Sequence, residues 1–329
     1  MDTISNNSAP QKEDTQLIDK HTSSMFRAVA AVMVILSHYA EWYSLFFQTE
    51  GGAETFRIAL TKLGVYGVDI FFLFSGYAMV KSLGEGRMSF NFVWKRIRNV
   101  YIPYFIIAGT IELVSGGFTS LHDFLLFASG YEYWYMNVLF ALYIGFIVIY
   151  AAFRNKHIRV VLFCAFTYLY SYTLYNQDML EFWYVSNIAF ALGIISAEYE
   201  KYVKKLTDKA GVLLIAVLCV MMFFVTKSGL YGEITMSSYT KEELTWLKIG
   251  ATLVWTLLVL VLTSNWRIKI KVLSFLGSAS LYLYLTHTYI FMRCVNGLEI
   301  AVMARFAVSA GITVAVAILC RMVLARKPK

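Results

Sequence analysis

Residues able to hold a proton or an anion fall inside stretches of this sequence that are otherwise apolar. In MFRAVAAVMVILSHYAEWYSLFF, Arg27 and His38 stand eleven positions apart. A helix would separate them by about 16 Å along its axis, and eleven steps are three turns plus roughly 20°, so both share one face. Glu41 extends that stripe by about one turn. Arg27 alone reads as an interfacial side chain that snorkels its charge to the surface, and His38 alone as a histidine bonded by a neighbouring helix. The stripe of Arg, His and Glu together suits a site that moves a proton beside an anion contact. In LGVYGVDIFFLFSGYAMVKSL, Asp69 needs a partner, because a lone carboxylate in an apolar setting is costly; His38 or a tyrosine hydroxyl is the natural candidate. Ser75 and Gly76 lie deeper in the same stretch, where small residues allow close helix contact or approach by a ligand. In SFLGSASLYLYLTHTYIFMRC, Ser280, Tyr284 and His287 recur at helical spacing. His287 reads equally as a structural or a functional group.

The elements that position these groups are long apolar blocks. Of 329 residues, 59% are hydrophobic and 15% charged, with a mean hydropathy of +0.60; a soluble domain has roughly 45–50% and about 25%. A span needs about 20 mostly apolar residues, and stretches 26–47, 63–83, 100–117, 134–153, 159–176, 182–198, 210–228, 245–264, 274–295 and 299–323 meet that need. An all-α, polytopic membrane protein of about ten helices follows, since backbone groups in lipid must bond within their own segment. Counting depth along each helix puts His38, Asp69 and His287 in one slab of the outer half of the bilayer. A charge buried there costs about 2.5–3.5 kcal/mol, so each is a functional candidate.

Lys and Arg set the orientation. One side of the spans receives Arg87, Lys95, Arg96, Arg98, Arg154, Lys156, Arg159, Lys201, Lys204, Lys205, Lys209, Arg267, Lys269, Lys271, Arg326, Lys327 and Lys329; the other has only Arg57, Lys62, Lys227 and Lys241. Both termini are therefore expected in the cytoplasm. Residues 1–24 read as a flexible tail, 25–325 as a single transmembrane domain and 326–329 as a basic tail. The net charge of +8 does not signal nucleic-acid binding, because the cations sit in short loops between apolar blocks rather than on one folded face. Cys164, Cys219, Cys294 and Cys320 lie within apolar blocks without metal-ligand spacing, so no metal site and no permanently bound cofactor are expected.

Two further stretches carry binding chemistry. In RMSFNFVWKRIRNVYIPYF, Lys95, Arg96 and Arg98 run into an aromatic segment bounded by Pro103. Topology alone explains a basic inner loop, and a phosphate contact beside a stacked ring is the second reading. Trp134 and Tyr135 follow Tyr131 and Tyr133 at the opposite boundary, either as an interfacial belt or as a platform for the apolar face of a sugar.

Taken in order, these motifs resemble the acyltransferase-3 family of integral membrane acyltransferases over nearly the whole chain. The Arg27-to-His38 interval in RAVAAVMVILSH, the block YGVDIFFLFSGY with Asp69, Ser75 and Gly76, the basic stretch KRIRNVYIPY and the late block SLYLYLTHTYIF carry the resemblance. The chain departs from it in WYMNVLFALYIG, where many members place a Glu and this sequence has no carboxylate. The resemblance implies a bacterial inner-membrane, multi-pass O-acyltransferase, with acetyl-CoA or another acyl-CoA as donor from the cytoplasm. The implied acceptor is a hydroxyl of an envelope glycan or lipid-linked saccharide. His38 is then the expected general base, oriented by Asp69 or another polar neighbour, with Ser75 and His287 as candidates for the oxyanion contact. Arg27, Lys95, Arg96 and Arg98 are expected on the CoA phosphates, and Glu41, Trp134, Tyr135 and Tyr284 on substrate. Direct transfer and an acyl-histidine intermediate both remain open. The competing reading is a secondary transporter or flippase in which His38, Asp69 and His287 relay protons. Small residues such as Gly193 and Ala197, read as lipid-facing, would permit an oligomer.

Overall fold

The computed structural model describes residues 16–324 apart from 49, 85, 236–239 and 266–268, and gives the backbone alone for 225–235. The expected basic tail 326–329 and Arg267 lie outside those residues. No strand occurs among the described residues. The first helix, α1 (Lys20–Tyr43), starts where the Asp19 carboxylate accepts from the backbone N–H groups of His21 at 2.8 Å and Thr22 at 2.9 Å. Two of the open donors at a helix start are satisfied in this way. The expected flexible tail through residue 24 is corrected here. Leu17 and Ile18 are buried in the core, and the Leu17 N–H donates to a Glu200 carboxylate oxygen at 2.8 Å. An apolar pair followed by a capping Asp is enough to dock this short run. Residues 1–15 lie outside the described chain.

The remaining helices are α2 (Gly51–Thr61), α3 (Leu63–Leu83), α4 (Phe90–Arg96), α5 (Ile102–Ser115), α6 (Leu121–Ser129), α7 (Trp134–Ala152), α8 (Lys156–Asn176) and α9 (Asn187–Glu198). After them come α10 (Glu200–Thr235), α11 (Lys241–Asn265), α12 (Lys271–Gly277), α13 (Ser280–Tyr289) and α14 (Val302–Leu324). Among the described residues, eight continuous runs are long and apolar enough to cross a membrane. They match eight of the ten expected stretches, with α2 running directly into α3 and α4 into α5. The two exceptions are discontinuous. Stretch 182–198 is a 3-10 turn (Glu181–Trp183) followed by the 12-residue α9, and stretch 274–295 breaks between α12 and α13 and ends in a π turn (Ile290–Val295). Non-helical backbone at membrane depth is tolerated where protein or a cavity surrounds it, and both breaks meet that condition. Helices α2 and α6 occupy stretches that read as loops.

α3 is the centre of the bundle, and small residues let its neighbours approach. A Cβ on Gly76 would overlap the Phe190 carbonyl of α9, and one on Gly193 would overlap the Leu73 carbonyl of α3. The two glycines thus join α3 and α9 backbone to backbone, a small-residue contact suited to lipid, where apolar burial gives helices little reason to associate. The reading of Gly193 and Ala197 as lipid-facing is therefore corrected: both are buried inside the bundle. Gly277 meets the Ser24 carbonyl in the same manner, and Ser24 donates to the Ser274 carbonyl at 2.7 Å, which fixes α12 against α1. Outward faces of α8, α10 and α14 show Val161, Leu169, Leu213, Leu319 and Val323, an apolar belt suited to acyl chains.

Candidate active site

Seven of the expected site residues line one cavity. It has a volume of about 750 Å³ and opens at the end of the bundle where Lys and Arg concentrate. Arg27 of α1 lines it; its Nε donates to the Ser23 carbonyl at 3.3 Å, and no carboxylate pairs with it among the described residues. Lys95 and Arg96, at the end of α4, reach the same space together with Arg98 and Asn99 from a π turn (Ile97–Tyr101). π turns are rare insertions that frequently mark functional sites, and this one lies within the basic motif. Arg96 is fixed in place: its guanidinium stands 4.9 Å over the Phe92 ring and donates to the Ala78 carbonyl at 3.3 Å and to the Ser82 hydroxyl. Lys81 at the rim is held by Glu200 at 2.7 Å, the carboxylate that also accepts from Tyr77 and Leu17.

The inner end of the cavity is aromatic. Ser75 of α3 sits among Tyr135 and Tyr143 of α7, and both phenols feel the charge of Arg27. Tyr135 and Tyr284 meet edge to face at 5.1 Å and close this end. Ser280 and Ser278, released by the break between α12 and α13, add hydroxyls to the wall. The break therefore has a positional role: it turns polar groups toward the cavity.

Behind that tyrosine pair lie the histidines, which do not line the cavity. Tyr284 and His287 have ring centroids 6.1 Å apart, and His287 and His38 are 5.1 Å apart. His287 is 1% exposed, and its Nδ1 is 2.8 Å from the Tyr284 carbonyl. A carbonyl only accepts, so this contact assigns the proton to Nδ1 and leaves the Nε2 lone pair to accept, with the Thr288 hydroxyl 3.3 Å from it. In that tautomer His287 is an acceptor; donation to an oxyanion would require the imidazolium. His38 is 34% exposed at its side chain, and its Nδ1 lies 3.5 Å from Glu41 Oε2. Trp42 stacks on the His38 ring at 5.6 Å and on Phe291 at 4.5 Å. The distance from the Arg27 entrance to the imidazoles is thus bridged by side chains, through one aromatic layer.

The expected pairing of His38 with Asp69 is corrected. Glu41 is the carboxylate beside His38, whereas Asp69 is fully buried against Ser186 and Thr252 of α9 and α11. Helical rise had placed His38 and Asp69 at one depth, but depth leaves the direction around the helix undetermined. Gly76 and Gly193 bring α9 against α3 and commit that sector to α9. Trp134 touches the Tyr135 ring edge to face at 6.3 Å but does not line the cavity with it. It lies against Phe182 at 4.9 Å near the Tyr131–Trp183 contact, away from the cavity that Tyr135 lines. Four residues of this region escape a reading by motif: Trp42, Tyr143, Lys81 and Glu200. Trp42 lies four positions after His38, so helical spacing alone would have put it on the histidine face. Glu200 had no such signal, because its partners Leu17 and Lys81 are remote in sequence.

No curated protein and no solved structure matches this chain. A family model described as an acyltransferase domain, the acyltransferase-3 model, matches residues 23–322.

Proposed function

Because this chain belongs to the acyltransferase-3 family and is a multi-pass membrane acyltransferase, we propose that it takes an acyl group, acetyl foremost, from cytoplasmic acyl-CoA. The acceptor is a hydroxyl of an envelope or other extracytoplasmic glycan, and the membrane is a bacterial inner membrane with the basic end of the bundle inside. The observation that carries this reading is the alignment of a cationic cavity with a histidine pair behind one tyrosine layer. Arg27, Lys95, Arg96 and Arg98 suit the CoA phosphates, since guanidinium groups offer paired donors in a partly dry setting. The pantetheine arm then runs past Ser75 toward Tyr135 and Tyr284, carrying the thioester to the layer in front of His287.

In the transfer, His38 acts as general base. Glu41 holds its Nδ1 side, leaving Nε2 to take the proton of the acceptor hydroxyl as that oxygen attacks the thioester carbonyl. The C–S bond breaks, the CoA thiolate leaves, and the proton on the imidazole returns to it. Purified protein supplied with acetyl-CoA and a glycan acceptor should release free thiol at a rate set by acceptor concentration. Absence of thiol release over a panel of acyl-CoA donors would reject the donor assignment. Mass spectrometry of envelope glycans from cells with and without the gene identifies the acceptor by one missing acyl increment. The contacts of Asp69 with Ser186 and Thr252, and of His38 with Glu41, favour this reading over the rival proton relay through all three groups.

A further inference from the structure

Among the described residues Asp69 is the only fully buried carboxylate, neither the cavity nor the histidine pair uses it, and its surroundings have a chemistry of their own. It is 0% exposed, and neither carboxylate oxygen closes a hydrogen bond. Ser186, at the N-cap position of α9, and Thr252 of α11 face it with their hydroxyls, and neither hydroxyl bonds elsewhere. Asn187 follows Ser186 in the chain and Thr256 lies about one helical turn after Thr252, and their side-chain oxygens are likewise buried without a bond. The Asn187 amide nitrogen is committed elsewhere, to the Ser171 hydroxyl at 3.0 Å and the Trp183 carbonyl at 3.3 Å, so its oxygen is the end left over. The start of α9 and the middle of α11 thus bring two hydroxyls to the buried Asp69 of α3, with no Lys, Arg or His pairing with Asp69 among the described residues.

Charge bookkeeping points to the occupant. Buried polar atoms are nearly always satisfied, and a buried charge is paired or binds an ion. The start of α9 offers about half a positive charge, which favours an ionised carboxylate without neutralising it. Hydroxyl, amide and carboxylate oxygens are hard ligands that suit alkali and alkaline-earth ions rather than soft metals. A divalent ion would need more carboxylates, and no group of three His, Cys, Asp or Glu gathers among the described residues. We propose that Asp69, Ser186 and Thr252, with Asn187 and Thr256 alongside, form a binding site for a monovalent alkali cation, sodium by preference, that ties α3 to α9 and α11.

This inference is independent of the acyl-transfer reading, and its test reads stability instead of turnover. The full chain in detergent is melted in sodium chloride and in choline chloride at equal ionic strength. Sodium should raise the melting temperature by several degrees, and the rise should grow with the logarithm of its concentration above saturation. Asp69→Asn should remove that response. Thr252→Val and Ser186→Ala keep the carboxylate, and each should move the half-saturating sodium concentration upward by about tenfold, so the site remains testable if Asp69→Asn fails to fold. Equal melting in sodium and choline overturns the proposal, as does a sodium response that survives all three substitutions. Stabilisation by acid alone, with no sodium response, would show Asp69 to be a neutral hydrogen-bonding acid and overturn it as well.

Discussion

At the scale of single residues, the proposed reaction assigns Arg27 to the donor and His38 to the acceptor. His38→Ala should lower acyl transfer by about 10²–10⁴-fold, the range that a positioned acid–base group supplies, while the protein still inserts and melts near the wild-type temperature. Full activity in that variant would remove the base assignment. Arg27→Ala should raise the KM for acyl-CoA about 10–100-fold, as the loss of a charge-assisted contact implies. Arg27→Lys separates two cases: partial recovery means that charge suffices, and equal loss means that the paired donors of guanidinium are required. Glu41→Gln should reduce the rate less than His38→Ala, since it disturbs the orientation of the imidazole and leaves the base present. Among these residues the Arg27, His38 and Glu41 stripe was legible from spacing, because one helix carries all three. Asp69 was not, because its true partners come from two other helices whose rotation no spacing along α3 records.

At the scale of elements, the long helices were readable from hydropathy and the interrupted ones were not. A hydropathy window registers apolar content, and the α12–α13 break and the short α9 are as apolar as their unbroken neighbours. What fixes them is contact: Gly277 against Ser24, and Gly193 against Leu73. Gly193→Leu should therefore destabilise the α3–α9 pair by about 1–3 kcal/mol or more through overpacking, seen as a lower melting temperature and earlier aggregation in detergent. An unchanged melting temperature would mean that this contact is looser than the geometry implies. Gly76→Val tests the same seam from the other side and should be equally harmful, with the added loss of cavity shape next to Ser75.

At the scale of the whole molecule, the charge asymmetry of the loops and the mouth of the cavity mark the same end of the bundle, the end proposed to meet the donor. Cysteine placed at Lys95 should react with a membrane-impermeant maleimide only from the cytoplasmic side, and cysteine placed at Arg57 only from outside; the reverse pattern would invert the proposed topology. The exposed Cys219 and Cys294 must first be replaced. The partition that Tyr135 and Tyr284 make between basic cavity and imidazoles has a consequence for the cell. It is one layer in which two side-chain rings meet edge to face, so in the proposed reaction a turn of side chains would open it, without the rocking of helix bundles on which transporters depend. The same thinness makes it the molecule's seal. With both rings cut back to alanine, the basic cavity would extend to His287, water would follow it toward the imidazoles, and a group-transfer enzyme would be expected to leak protons.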